Sequence, residues 1–162
     1  MLKEKKFGYQ EQNMREKGLE IKKERSLSNP KKKESTFWKT IKKISPHVHW
    51  TRIETFGTPG IPDLLGVLDF KSFWLELKVT TKNRVHVSPF QIAWNQKRYE
   101  LCGDNFYCIY NISDRSIYLY KGSMGRLLVS DGMLVHEPLF KIKQPYENKF
   151  ESELKRILTH VN

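Results

Sequence analysis

The sequence predicts an α/β domain in which a mixed central sheet is flanked by helices. Three observations carry that expectation. Apolar residues recur at helical spacing in three stretches, and β-favouring runs occupy five more. Gly/Pro/Ser/Asp clusters punctuate the boundaries. From residue 35 to 120 the order is helix, strand, strand, strand, helix, strand, strand, so an αβββαβ core is expected.

Each element has a local cause. Phe37, Trp38, Ile41 and Ile44 at helical spacing, with Ser35 or Thr36 as N-cap, predict a helix over 35–45 that ends at Ser45-Pro46. From His47 to Phe56, Val48, Trp50 and Ile53 alternate with polar neighbours, which predicts the first strand. Gly57-Thr58-Pro59-Gly60-Ile61-Pro62 cannot propagate a regular element and is expected to be a loop. The runs 63–68 and 73–79, separated by Asp69-Phe70-Lys71-Ser72, predict an antiparallel hairpin. Ser88-Pro89-Phe90-Gln91 is a helix start with Ser as N-cap, Pro at the first helical position and Gln completing a capping box; Gly103 stops that helix after Cys102. Phe106 to Ile112 and Ile117 to Tyr120 form two strands around a turn at 113–116. Phe150, Leu154, Ile157, Leu158 and Val161 line one face of a final helix over 148–161.

The charge is uneven. The chain has 162 residues with 29 Lys+Arg against 18 Asp+Glu, a net charge of +11. Residues 1–45 hold 14 Lys/Arg against 6 Glu, leaving 15 against 12 for residues 46–162. Residues 1–33 therefore form a basic N-terminal arm, mobile or partly helical, and 34–162 the folded domain. An excess of this sign favours a polyanionic partner, most simply nucleic acid. Lys31-Lys32-Lys33 is either a solvated linker or a phosphate-contacting run. No apolar run approaches the roughly 18 residues of a membrane span, and no apolar stretch follows the charged N-terminus as a secretory signal requires. Cys102 and Cys108 have neither metal-site nor disulfide-scaffold spacing and are expected to be reduced core thiols in a cytosolic protein.

The chemistry concentrates in the first hairpin. Side chains alternate along a strand, so Glu76 and Lys78 project from one face while Leu75 and Leu77 point to the other. Two charges on an otherwise apolar strand must be paired or bound to a metal. A hairpin closing near residues 69–72 brings Asp63 opposite the far end of the second strand, near Glu76 and Lys78.

Gly60-Ile61-Pro62-Asp63, then Glu76-Leu77-Lys78, then Ser88-Pro89-Phe90-Gln91 with Trp94 resembles the PD-(D/E)xK nuclease superfamily. Within it the chain is most similar to the virus-type replication-repair nucleases and the junction resolvases, over about residues 34–112. The resemblance implies a restriction-endonuclease-like core and Mg²⁺-dependent cleavage of DNA, with Mn²⁺ as a substitute ion. Asp63, Glu76 and the Leu77 carbonyl would hold the metal, and hard oxygen donors suit Mg²⁺. Lys78 would position the attacking water and neutralise developing charge. The products would carry a 5′-phosphate and a 3′-hydroxyl. Gln91 is either a neighbour of the active site or simply a helix cap. Glu34 is either a further metal ligand or a first-turn glutamate favoured by the helix dipole, with Glu54 as the runner-up ligand.

Around this site Arg52, Lys82, Arg84, Lys97 and Arg98, with Lys31, Lys32 and Lys33, form the expected nucleic-acid-contacting set, and His86 lies near it in sequence. His47 and His49 lack a third ligand at metal spacing and are expected to have a structural or surface role. No sequence-reading module is evident, so a structure-selective endonuclease acting on junctions, flaps or branched DNA is the expected activity. The competing expectations are a sequence-specific restriction-type endonuclease and a non-catalytic basic nucleic-acid-binding protein that keeps the fold. Two symmetric cuts suit a homodimer joined by the C-terminal helix or the apolar 127–142 segment. By analogy, the format fits the cytoplasm of a bacterial cell or phage-infected host, in DNA repair or recombination.

Overall fold

A computed structural model describes residues 30–54 and 57–160 of the protein, with the side chains of residues 30–32 outside that description. The expected arm before Pro30, the Phe56 end of the first strand and Val161 thus lie outside the described residues. The chain divides into two compact units, 1–35 and 36–162. The elements are α1 (Pro30–Ile44), whose residues from Thr36 on belong to the second unit, and then, all within that α/β unit, β1 (His49–Arg52), β2 (Leu64–Leu68), β3 (Lys71–Thr80), α2 (Pro89–Cys102), β4 (Asn105–Asn111), β5 (Ser116–Lys121), α3 (Gly125–Ser130), β6 (Phe140–Lys143) and α4 (Lys149–His160), with short 3₁₀ turns on either side of α3.

The helix expected from residue 35 begins five residues earlier. Pro30 sits at its start, where a missing N–H costs nothing, so the proline opens the helix instead of breaking the chain there. Lys31, Lys32 and Lys33 are helical rather than a linker, and Glu34 falls in the second turn rather than the first.

The six strands form one mixed sheet in the order β1-β2-β3-β4-β5-β6. Every pair is antiparallel except β3–β4, which the crossover through α2 makes parallel. The β2–β3 turn is tighter than expected, because only Asp69 and Phe70 lie outside the strands. Both have positive φ, 48° and 65°, as a two-residue type I′ hairpin requires.

Period-two alternation splits the core between the two faces. On one, Phe37, Ile41 and Ile44 of α1 and Phe150, Leu154, Ile157 and Leu158 of α4 cover Phe73, Leu75, Leu77, Phe106 and Cys108. On the other, Tyr107, Ile109, Tyr118 and Tyr120 pack with Val85, Val87, Leu128 and Met133, against Ile92 of α2. The apolar face of α4 is therefore used inside the domain and is not available to a second copy, whereas Leu127, Val129, Leu134 and Val135 are exposed. Of the two thiols expected in the core, Cys108 is buried but Cys102, in the last turn of α2, is exposed. No described helix is long and apolar enough to cross a membrane.

Candidate active site

The register of the first hairpin positions the charged residues. Leu64 pairs with Leu75 as the last β2–β3 rung, so Asp63, one residue earlier, stands opposite Glu76. The Ile53 N–H donates to the Asp63 carbonyl at 2.8 Å, which extends the β1–β2 ladder to this point and fixes where Asp63 leaves the sheet. Beyond it β3 continues to Thr80 without β2 beside it. The Trp74 N–H donates to Asp104 O and Thr80 O accepts from Ile112 N, so the main chain of even-numbered residues bonds toward β4. The main chain of Leu77 consequently faces the Asp63 side, where its N–H donates to Asp63 Oδ2 at 2.8 Å. Its carbonyl points to the same edge, because N–H and C=O of one strand residue share a side.

Glu76 is completely buried, and the Lys78 side chain is 11% exposed. Lys78 Nζ lies 2.8 Å from Glu76 Oε1, so the expected compensation for charge on an apolar strand takes the form of an ion pair.

Gln91 serves as the helix cap and also reaches Glu76. Its Oε1 accepts from the Ser88 N–H at 3.1 Å, while Ser88 Oγ accepts from the Gln91 N–H at 3.3 Å, completing the capping box. Its Nε2 then donates to Glu76 Oε1 at 2.5 Å. The Ser88 N–H is a donor, so only the amide oxygen can face it, and the NH₂ must turn to the carboxylate. The cap thus sets the orientation of the group that touches Glu76.

Burial pushes the Asp63 carboxyl above its ordinary value, against the Leu77 hydrogen bond and the positive charges of Lys78 and Arg52, which pull it down. Burial also raises the Tyr107 phenol, and the Glu76 charge adds to that rise. The Tyr107 hydroxyl donates to Gln91 O at 3.4 Å, and Asn95 Nδ2 donates to the same carbonyl at 2.9 Å. Asn105 Nδ2 in turn donates to Asn95.

Sequence reasoning missed this buried support under α2. The signal for it was faint, two asparagines and a tyrosine at otherwise apolar positions. It also missed the reason for Gly60, whose φ is +95°. A Cβ there would lie 2.4 Å from the Phe90 carbonyl oxygen, so the loop rests on the first turn of α2.

The donor set fits Mg²⁺. Asp63 and Glu76 with the Leu77 carbonyl edge offer hard oxygens, and Mg²⁺ takes one or two carboxylates and keeps several waters. No described group of three or more His, Cys, Asp or Glu side chains could hold a metal. The remaining coordination would therefore be water and substrate phosphate.

Arg52 is exposed, 3.5 Å from Glu54, and Glu54 is largely exposed in that contact. Lys82, Arg84 and His86 are exposed on the connection following β3. Asn83 pins that connection: its carbonyl accepts from Met133 N at 2.9 Å and its Oδ1 from Leu134 N at 2.7 Å.

Lys97 and Arg98 lie about two turns down α2 from Gln91. Lys97 is exposed, but the Arg98 guanidinium is held by both Asp104 oxygens, at 2.8 and 2.6 Å, so its role is to tie α2 to β4. Glu34 belongs to the first compact unit, and Asp63, Glu76 and Lys78 to the second. The His47 ring and main-chain N–H both meet Glu151, at 2.7 and 3.0 Å, a structural use of that histidine.

No family model matches the chain, and no curated protein matches it at a significant level.

Proposed function

We propose that the protein is a Mg²⁺-dependent nuclease that hydrolyses DNA phosphodiester bonds, acting as a structure-selective endonuclease on junctions, flaps or branched DNA. The observation that supports this most is the fully buried Glu76, paired with Lys78 at 2.8 Å and facing Asp63 across the end of a hairpin. A purely structural protein gains little from such an arrangement, because an apolar pair of similar volume is often as stable.

Asp63 and Glu76 would hold the ion, which would supply polarisation of the phosphoryl oxygen and easier deprotonation of water, and Gln91 keeps the Glu76 carboxylate from rotating. Lys78 orients the attacking water and balances negative charge as the P–O3′ bond breaks, leaving a 5′-phosphate and a 3′-hydroxyl. The exposed cations Arg52, Lys82, Arg84 and Lys97 suit backbone contacts that read shape rather than sequence.

The test is cleavage of a four-way junction and a flap with Mg²⁺ and with Mn²⁺. Asp63→Asn, Glu76→Gln and Lys78→Ala should each abolish cleavage while DNA binding persists. Wild-type cleavage by all three variants would overturn the site, and discrete fragments from plasmid DNA would indicate a restriction-type enzyme instead.

A further inference from the structure

We propose that Phe70, at the tip of the β2–β3 hairpin, stacks on an unpaired nucleobase of the substrate, and that the substrate strand reaches it across the uncovered face of β1 and β2. The inference rests on the nuclease reading above and adds to it a second contact, remote from the metal.

The ring of Phe70 is fully exposed, and its φ of 65° is a region that a bulky side chain rarely occupies. Glycine or asparagine would serve this turn with less strain, so neither packing nor turn geometry accounts for a phenylalanine there. Strain of this kind at an exposed site is an indication of function. The tip is also held in place. The Asp69 carboxylate meets Lys155 Nζ at 2.6 Å on one side of Phe70, and Lys71 Nζ donates to Leu158 O at 2.7 Å on the other. Both anchors belong to α4, so the ring is presented from a fixed turn.

A path joins this ring to the carboxylates. Reading across the hairpins, His49, Val67 and Ser72 form one row, and Thr51, Leu65 and Trp74 the next. Asp63 and Glu76 continue the series on the same face. His49, Thr51, Val67 and Ser72 are exposed, so the face is open along β1 and β2, while Trp94 of α2 packs on Trp74 and borders it on the β3 side.

None of these row residues is acidic and Asp69 is answered by Lys155, so no unpaired negative charge between the tip and Asp63 opposes a polyanion. Phe70 lies about 20 Å from Glu76, six residues along β3 at roughly 3.3 Å each. With stacked nucleotides at about 3.4 Å, that is about six nucleotides from the cleaved bond.

The experiment uses flap DNA carrying 2-aminopurine at successive positions of the unpaired arm, with the cleaved bond mapped by the wild-type enzyme. Binding is measured in the Asp63→Asn background so that the DNA stays intact. The fluorescence change should centre about six nucleotides from the cleaved bond. Phe70→Gly should bind about tenfold more weakly and lose that signal, whereas Phe70→Trp should keep both. Phe70→Gly should also raise the melting temperature, because glycine accepts the positive φ; a residue with a structural role would lower it.

Unchanged affinity and signal in Phe70→Gly, with wild-type cleavage intact, would overturn the stacking role and leave the nuclease reading standing. Failure of the wild type to bind or cleave DNA would overturn both. A self-association in sedimentation that Phe70→Gly abolishes, with DNA affinity unchanged, would assign the ring to a second copy of this chain and overturn the nucleobase as its partner.

Discussion

Gly60→Ala tests how the loop that delivers Asp63 is seated. The added Cβ would lie 2.4 Å from the Phe90 carbonyl oxygen, 2.7 Å from its carbonyl carbon and 3.2 Å from the Gln91 nitrogen. An unstrained C···O contact is about 3.3 Å, so the shortfall is close to an ångström. The atoms it strikes are helix backbone and have no rotamer to change. A non-glycine residue at φ +95° adds strain of about 1–2 kcal/mol. Clash and strain together should cost about 3 kcal/mol, which in a domain of this size lowers the melting temperature by roughly 10 °C.

Gly57 provides the control in the same loop. A Cβ there meets nothing within 4 Å, so Gly57→Ala should stay within about 0.5 kcal/mol of wild type in urea denaturation. If the clash is relieved by movement, the loop separates from the turn that carries Gln91, and stabilisation by Mg²⁺ should fall in Gly60→Ala but not in Gly57→Ala. Equal unfolding midpoints for the two variants would refute the reasoning.

Other outcomes follow from the same geometry. Lys78→Met should destabilise the metal-free protein by about 3 kcal/mol, because it removes the ammonium beside a buried carboxylate. Adding Glu76→Gln should recover much of that loss; a coupling below about 0.5 kcal/mol in urea denaturation would count against the ion pair. Asp63 is an acid whose folded pKa lies above the ordinary 3.8, so its ionisation works against the fold as pH rises through the folded value. Asp63→Asn should therefore be more stable than wild type at neutral pH without metal, and the difference should vanish below the ordinary aspartate pKa. A thermal melt series across pH checks the sign. Phe150→Ala empties a fully buried position between α4 and the sheet and should cost about 3–5 kcal/mol in denaturant unfolding.

Much of the site was legible because strand geometry is short-range. Glu76 and Lys78 share a face by alternation alone, and the hairpin follows from two β-favouring runs separated by a short break. Asp63 opposite Glu76 then depends only on register, and the two-residue turn at Asp69-Phe70 supplies it. Ser88-Pro89-Phe90-Gln91 was readable for the same reason, since a capping box closes within one turn. The charge set was less legible. Nothing local distinguishes the exposed Lys97 from Arg98, whose partner Asp104 lies past the end of the helix. β6 and α3 also went unassigned, because their short runs acquire meaning only against β5 and the connection after β3.

What the sequence determined by itself were the period-two and helical patterns, the caps, the hairpin and the basic balance, each a property of residues within a few positions of one another. The tertiary structure alone decided that one Gln91 amide serves both the Ser88 cap and Glu76, and that Gly60 carries no side chain because the turn of α2 fills that space. It also decided that α4 covers the sheet rather than a partner. Those outcomes depend on which surfaces meet after the chain has folded back on itself, and contacts between segments far apart in sequence leave no periodic trace in either one.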